Sequence, residues 1–169
     1  MRPQKVVLMG PMGSGKSTIG KIISKTTGWP YFDNDLEMTN RYGFSQEELS
    51  TMPVSELHEI ETRYLQDILN EDAPFITGAA GSVVDNQLNR ELLKSAFAIY
   101  LHIPLEVIIE RAGTFGVGRQ AVIDSGTKIL TDRYVRRDPL YREVAKLTLN
   151  IGENPEEDAE KILEFLAKS

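Results

Sequence analysis

Gly10-Pro-Met-Gly-Ser-Gly-Lys-Ser17 sets glycines, a lysine and a hydroxyl at the spacing G-x-x-x-x-G-K-[ST]. Each residue type has a task in holding a polyphosphate. Glycines let successive backbone N–H groups turn inward around phosphate oxygens, and a helix opening directly after them adds the positive end of its dipole. Lys16 reaches the β- and γ-phosphates, and Ser17 offers its hydroxyl to Mg²⁺. Gly13, Ser14, Gly15, Lys16, Ser17 and Thr18 are therefore the candidate nucleotide-binding set. The alternative, a glycine turn with a solvated lysine, is disfavoured by the apolar strand before the run and the helical pattern after it.

A second cluster, Phe32-Asp33-Asn34-Asp35, closes the next apolar run with two carboxylates two residues apart. Strand alternation would point Asp33 and Asp35 the same way, at the edge where open parallel sheets bind ligands. Asp33 suits Mg²⁺ held through water beside Ser17, and Asp35 suits orientation or deprotonation of an acceptor hydroxyl. A helix cap in which Asp35 satisfies free N–H groups is the competing explanation.

The elements that must carry these residues are short apolar runs alternating with helical patterns. Lys5–Met9, Tyr31–Asp33, Pro74–Thr77, Phe97–Ile103 and Leu147–Ile151 read as buried strands, which predicts an α/β fold with a five-stranded parallel sheet flanked by helices. Ser45 with Glu48 forms a capping box, and Pro53, Pro104 and Pro155 suit first helical turns. Leu57, Ile60, Tyr64, Leu65 and Ile68, like Ile162, Phe165 and Leu166, recur at helical spacing as core faces. Between the helices ending near Arg111 and beginning near Thr127 lies a glycine-rich stretch around Arg119, which reads as a lid.

The chain has 169 residues, a net charge of −6 and no cysteine. That length suits one domain over residues 1–169, with the lid at about 112–126. The acidic balance argues against general nucleic-acid binding, and the missing cysteines exclude disulfides, thiolate metal sites and a cysteine nucleophile. No signal-like or membrane-spanning apolar stretch is visible, so a cytoplasmic protein is expected, monomeric and without a membrane or nucleic-acid partner.

Taken together, these motifs resemble those of the shikimate kinases, small P-loop kinases of the nucleoside-monophosphate-kinase type. The similarity runs from the Gly10 loop through Phe32-x-x-Asp35 and Ile60-Glu61 to Arg137-Asp-Pro-Leu-Tyr-Arg-Glu-Val-Ala145. It implies ATP and Mg²⁺ as cofactors, a small-molecule acceptor, and phosphorylation of shikimate to shikimate 3-phosphate in aromatic amino-acid biosynthesis. By the same resemblance, Lys16 is the phosphate lysine, Ser17 and Asp33 hold magnesium, and Asp35 serves the acceptor hydroxyl. Arg137 binds the acceptor carboxylate, Arg119 closes over the transferring phosphate, and Arg111 and Pro155 flank adenine.

The departures lie on the acceptor side. Leu57-His58-Glu59-Ile60-Glu61 stands where the family has Phe-Arg-x-x-Glu, so His58 replaces a second carboxylate-binding arginine. Ala79-Ala80-Gly81 replaces three glycines, which predicts two methyl groups where the backbone should approach the acceptor. The lid reads Arg119-Gln120-Ala121-Val122 in place of Arg-Pro-Leu-Leu. Asp35, His58, Ala80, Gly81 and Arg137 are the expected acceptor contacts. His58 could instead be an ordinary helix residue, and His102 is expected to be structural. A different acceptor (a sugar acid, cyclitol or nucleoside) and a nucleotide-binding regulatory paralogue without turnover are the alternative functions.

Overall fold

The computed structural model describes residues 1–112 and 126–169. Arg119 and nearly all of the expected lid lie outside the described residues. In chain order the elements are β1 (Lys5–Met9), α1 (Lys16–Thr27), β2 (Tyr31–Phe32), α2 (Asn34–Tyr42), α3 (Gln46–Thr51), α4 (Val54–Leu69) and β3 (Phe75–Gly78). A 3₁₀ turn (Gly81–Asp85) follows, then α5 (Gln87–Lys94), β4 (Phe97–His102), α6 (Leu105–Ala112), α7 (Lys128–Val144), β5 (Leu147–Asn150) and α8 (Pro155–Ala167).

The strands form one parallel sheet in the order β2-β3-β1-β4-β5. Side-chain alternation sends the central strands into two cores. Val7 and Met9 of β1, with Ala98 and Tyr100 of β4, pack under Leu65, Val83, Leu93, Tyr141 and Val144. Val6 and Leu8, with Ile99 and Leu101, pack against Ile19 and Ile23 of α1 and Ile162 and Leu166 of α8. Burial on both faces explains why these strands read as continuous apolar runs. The helical stripes of α4 and α8 are core faces, as their spacing predicts. No helix among the described residues is long and apolar enough to cross a membrane.

β1 spans its expected residues, each other strand differs by one residue at one or both ends, and at β2 the difference matters. β2 stops at Phe32, so Asp33 and Asp35 do not share a strand face. Asp33 instead caps α2, its carboxylate accepting from the backbone N–H groups of Asp35 and Leu36. Asp35 lies in the first turn of that helix. The cap is thus Asp33, leaving the Asp35 side chain free of that duty.

A two-residue strand needs outside support. Thr77 of β3, fully buried, donates its hydroxyl to the Phe32 carbonyl at 2.8 Å and accepts from the Tyr64 hydroxyl of α4, also at 2.8 Å. Replacing Thr77 by Val keeps the shape and leaves both partners unpaired, so Thr77→Val is expected to cost about 1–3 kcal/mol in urea unfolding. Tyr64→Phe removes only one partner and should cost less; the reverse order would show that Thr77 does not anchor β2.

Candidate active site

The loop between β1 and α1 opens at the centre of the sheet's C-terminal edge. Gly10 has φ of 151°, and a Cβ there would sit 2.7 Å from the Leu101 carbonyl oxygen and 2.7 Å from Ser14 Oγ. Gly15, at φ of 90°, is left-handed and precedes α1 without any side-chain cap. The first N–H groups of α1 therefore have no side-chain acceptor, the arrangement that suits a phosphate. Lys16 Nζ donates to the carbonyls of Gly10 at 2.7 Å and Pro11 at 3.1 Å. Burial of this ammonium lowers its pKa to about 8, against an opposing pull from the Asp35 carboxylate.

Around the loop stand the other nucleotide-side candidates. Ser14 is buried inside it, while Ser17 and Thr18 are exposed on the first turn of α1. Ser17 Oγ lies 3.3 Å from Asp33 Oδ2, and these hard oxygen donors fit a magnesium ion that takes its remaining ligands from phosphate and water. Arg111, near the end of α6, donates Nη1 to the Gly13 carbonyl at 2.7 Å, fastening that helix to the loop. Pro155 is the first residue of α8, on the loop that follows β5 at the same sheet edge.

The acceptor side is built from α2, α4, the 3₁₀ turn and α7. The pKa of Asp35 is raised, first by crowding that strips water from the carboxyl and then by Asp33, with Lys16 opposing. Glu61, one helical turn after His58, accepts a hydrogen bond from Ser82 Oγ at 2.7 Å. Burial and the Asp35 charge push its pKa up, while Ser82, His58 and Arg137 pull it down. Asp35, His58 and Arg137 are thus each within electrostatic reach of Glu61, although the four come from three helices. A cavity of about 290 Å³ opens beside them, lined by His58, Glu61, Ser82, Asp85 and Asn89 among others.

One expectation, that for Ala79, needs correction here. Ala79 does not thrust its methyl toward an acceptor: it is buried in the core beside Val7 and Val83, and its N–H is donated to the Leu8 carbonyl at 3.0 Å. Ala80 takes φ of −59° and ψ of 148°, a backbone conformation open to any residue, so it imposes no strain. Gly81 does stand close to the site, where a Cβ would lie 3.7 Å from Arg137 Nη1, and its carbonyl accepts from the Tyr141 hydroxyl. His102 is structural as expected, its ring nitrogens 2.9 Å from Asn150 Oδ1 and 2.9 Å from the Tyr134 hydroxyl.

The motif resemblance includes Glu61 without a task and nothing at Ser82 or Asp85. The i, i+3 spacing of His58 and Glu61 was an available signal for the first. No local pattern announces Asp85, whose partner Arg137 lies 52 residues away.

Comparison with known proteins gives a consistent picture. Residues 12–167 match the pattern that defines the family described as shikimate kinase. A shikimate kinase of Psychrobacter cryohalolentis is 33% identical over 154 residues, covering 87% of this chain and 80% of the relative. The solved structure of shikimate kinase from Acinetobacter baumannii in complex with shikimate superposes with a TM-score of 0.86 at 27% identity, covering 98% of this chain and 94% of that one. A gluconokinase from Sinorhizobium meliloti shares the fold alone, with a TM-score of 0.64 at 18% identity over 98% of this chain and 93% of its own.

The lowered pKa of Lys16 has a measurable consequence. Above pH of about 8 part of the free protein carries a neutral amine, and a triphosphate restores the ammonium by its negative charge. Nucleotide binding at about pH 9 is therefore expected to take up protons. Calorimetric titration in two buffers of different ionisation enthalpy measures the uptake, and Lys16→Met should abolish it; equal heats for the unmodified protein would contradict a desolvated lysine.

Proposed function

The chain belongs to the shikimate kinase family, and we propose that it transfers the γ-phosphoryl group of ATP to the 3-hydroxyl of shikimate, with Asp35, Lys16 and Arg137 as the principal working groups. The observation that carries this reading is the convergence of Lys16 and Asp35 with His58, Glu61 and Arg137 at one sheet edge, a phosphate cradle against a polar acceptor pocket.

Transfer is direct. The acceptor oxygen forms a bond to the γ-phosphorus as the bond to the bridging β–γ oxygen breaks, and ADP leaves. Asp35 orients the attacking hydroxyl and receives its proton, a task for which the ionised carboxylate is needed. Lys16 exchanges the Gly10 and Pro11 carbonyls for phosphate oxygens and offsets the charge on the departing ADP. Ser17, and Asp33 through water, would hold a Mg²⁺ ion, which would supply further neutralisation of phosphate charge. Arg137 meets the acceptor carboxylate, with His58, Ala80 and Gly81 lining the same side. Arg111 and Pro155 flank the adenine, and Arg119, which with most of the lid expected at about 112–126 lies outside the described residues, serves the transferring phosphoryl group; a single domain spans 1–169. The protein acts in this reading as a cytoplasmic monomer on a small-molecule acceptor.

A second reading keeps this machinery and changes the acceptor. It is favoured by His58, whose imidazole cannot offer the forked set of donors by which a guanidinium meets a carboxylate. ADP release measured over a panel of cyclitols, sugar acids and shikimate decides between the two, and shikimate without turnover would exclude the first.

Asp35→Asn is expected to lower kcat by about 10²–10⁴-fold with little change in ATP affinity. Because the Asp35 pKa is raised, the proton returns at a higher pH than it would to an ordinary aspartate. The acid limb of the kcat/KM profile should therefore lie above the usual carboxylate range and vanish in the variant. An unchanged limb would assign the proton transfer elsewhere. His58→Arg should tighten shikimate about tenfold or more by adding a charged hydrogen bond, read as a fall in its KM.

A further inference from the structure

We infer that Asp85 is an internal competitor for the acceptor's carboxylate and thereby sets how tightly this chain holds its acceptor, an inference that rests on the reading of Arg137 given above. Arg137 turns the Nε–Nη2 edge of its guanidinium onto Asp85: Nε lies 3.0 Å from Oδ1 and 3.3 Å from Oδ2, and Nη2 lies 2.8 Å from Oδ2. This is the forked geometry by which a guanidinium recognises any carboxylate, including that of a ring acid. The contact is sheltered, with side-chain exposures of 15% for Arg137 and 24% for Asp85, so salt screens it weakly.

The remaining nitrogen, Nη1, faces Gly81. An acceptor carboxylate therefore meets an arginine whose better edge is in use. It must displace Asp85 or settle for one nitrogen.

The neighbourhood offers Asp85 somewhere to go. Arg136 Nη2 already stands 3.6 Å from Asp85 Oδ2. Arg133, three and four residues before these two arginines, shares their side of α7. Burial, Arg137 and Arg136 all push its pKa down, with Asp85 opposing. Three guanidiniums thus crowd Asp85, with Glu61 the other carboxylate that feels Arg137, and a further carboxylate, brought by the acceptor, improves the balance of charge. Asp85 can pass toward Arg136 as the acceptor takes the fork. Until it does, the fraction of Arg137 free to bind is reduced, and the apparent affinity falls in proportion.

The test compares shikimate with its methyl ester, which has no carboxylate charge, in the unmodified protein and in Asp85→Asn and Asp85→Ser, each checked for an intact thermal transition. Removing the competitor should lower the KM for shikimate about tenfold in both variants, with the KM for the ester moving far less and that for ATP unchanged. A shikimate KM that stays the same or rises would overturn the inference, since Asp85 would then be holding Arg137 in place. Equal falls for acid and ester would also overturn it, because they report a loosened pocket. Arg137→Met in the unmodified background separates the underlying reading. If that variant weakens the acid no more than the ester, Arg137 does not bind the acceptor carboxylate at all, whatever Asp85 does.

Discussion

An ammonium group with little access to water lies at the middle of this protein, and its neighbours are arranged to keep it charged. Lys16 leans on two loop carbonyls and feels the Asp35 carboxylate. Water left in the loop would solvate the amine better but would also compete with phosphate oxygens for it. The glycines that let the loop close tightly around the amine are the same residues that turn N–H groups inward. Asp35 shows the other side of this coupling: crowding and Asp33 raise its pKa, and Lys16 restrains the rise. Cation and carboxylate thus hold each other near the protonation states that phosphoryl transfer requires.

The parts of this arrangement that were legible in the sequence are local ones. The Gly10–Ser17 loop, the Ser45–Glu48 capping box and the stripe on α4 are set by residues within a turn or two of each other, so spacing alone reveals them. The spacing of Asp33 and Asp35 marks them as a pair but not their geometry, because β2 is held by Thr77 and Tyr64 far along the chain and gives way at Asp33 to the cap of α2. The alanines after β3 illustrate the same limit. A methyl group at position 79 looked like an obstacle to a ligand, whereas the register of β1 with β3 turns it into core.

The acceptor side is the least local region of all. His58 and Glu61 share one helix, Ser82 and Asp85 lie on the 3₁₀ turn, and Arg137 comes from beyond the glycine-rich stretch. Only tertiary packing brings them together. That packing is firm where it can be followed: Tyr100 stacks on Tyr141 with ring centroids 4.5 Å apart, and its hydroxyl donates to Asp138 at 2.8 Å. The two contacts tie α7 to β4 on either side of Pro139, so Arg137 is presented from a braced helix.

The strand order also bears on how such a protein changes over generations. The phosphate loop grows from β1, the middle strand, with α1 packed between the sheet and α8. His58, Gly81 and Arg137, proposed above to meet the acceptor, sit instead on α4, the 3₁₀ turn and α7, on the opposite side of the sheet. Mutations at His58, Ala80 or Asp85 can therefore alter what is phosphorylated while the apparatus that handles the donor stays whole. A lineage built on this plan can drift in acceptor choice through viable intermediates, each still able to bind and orient ATP.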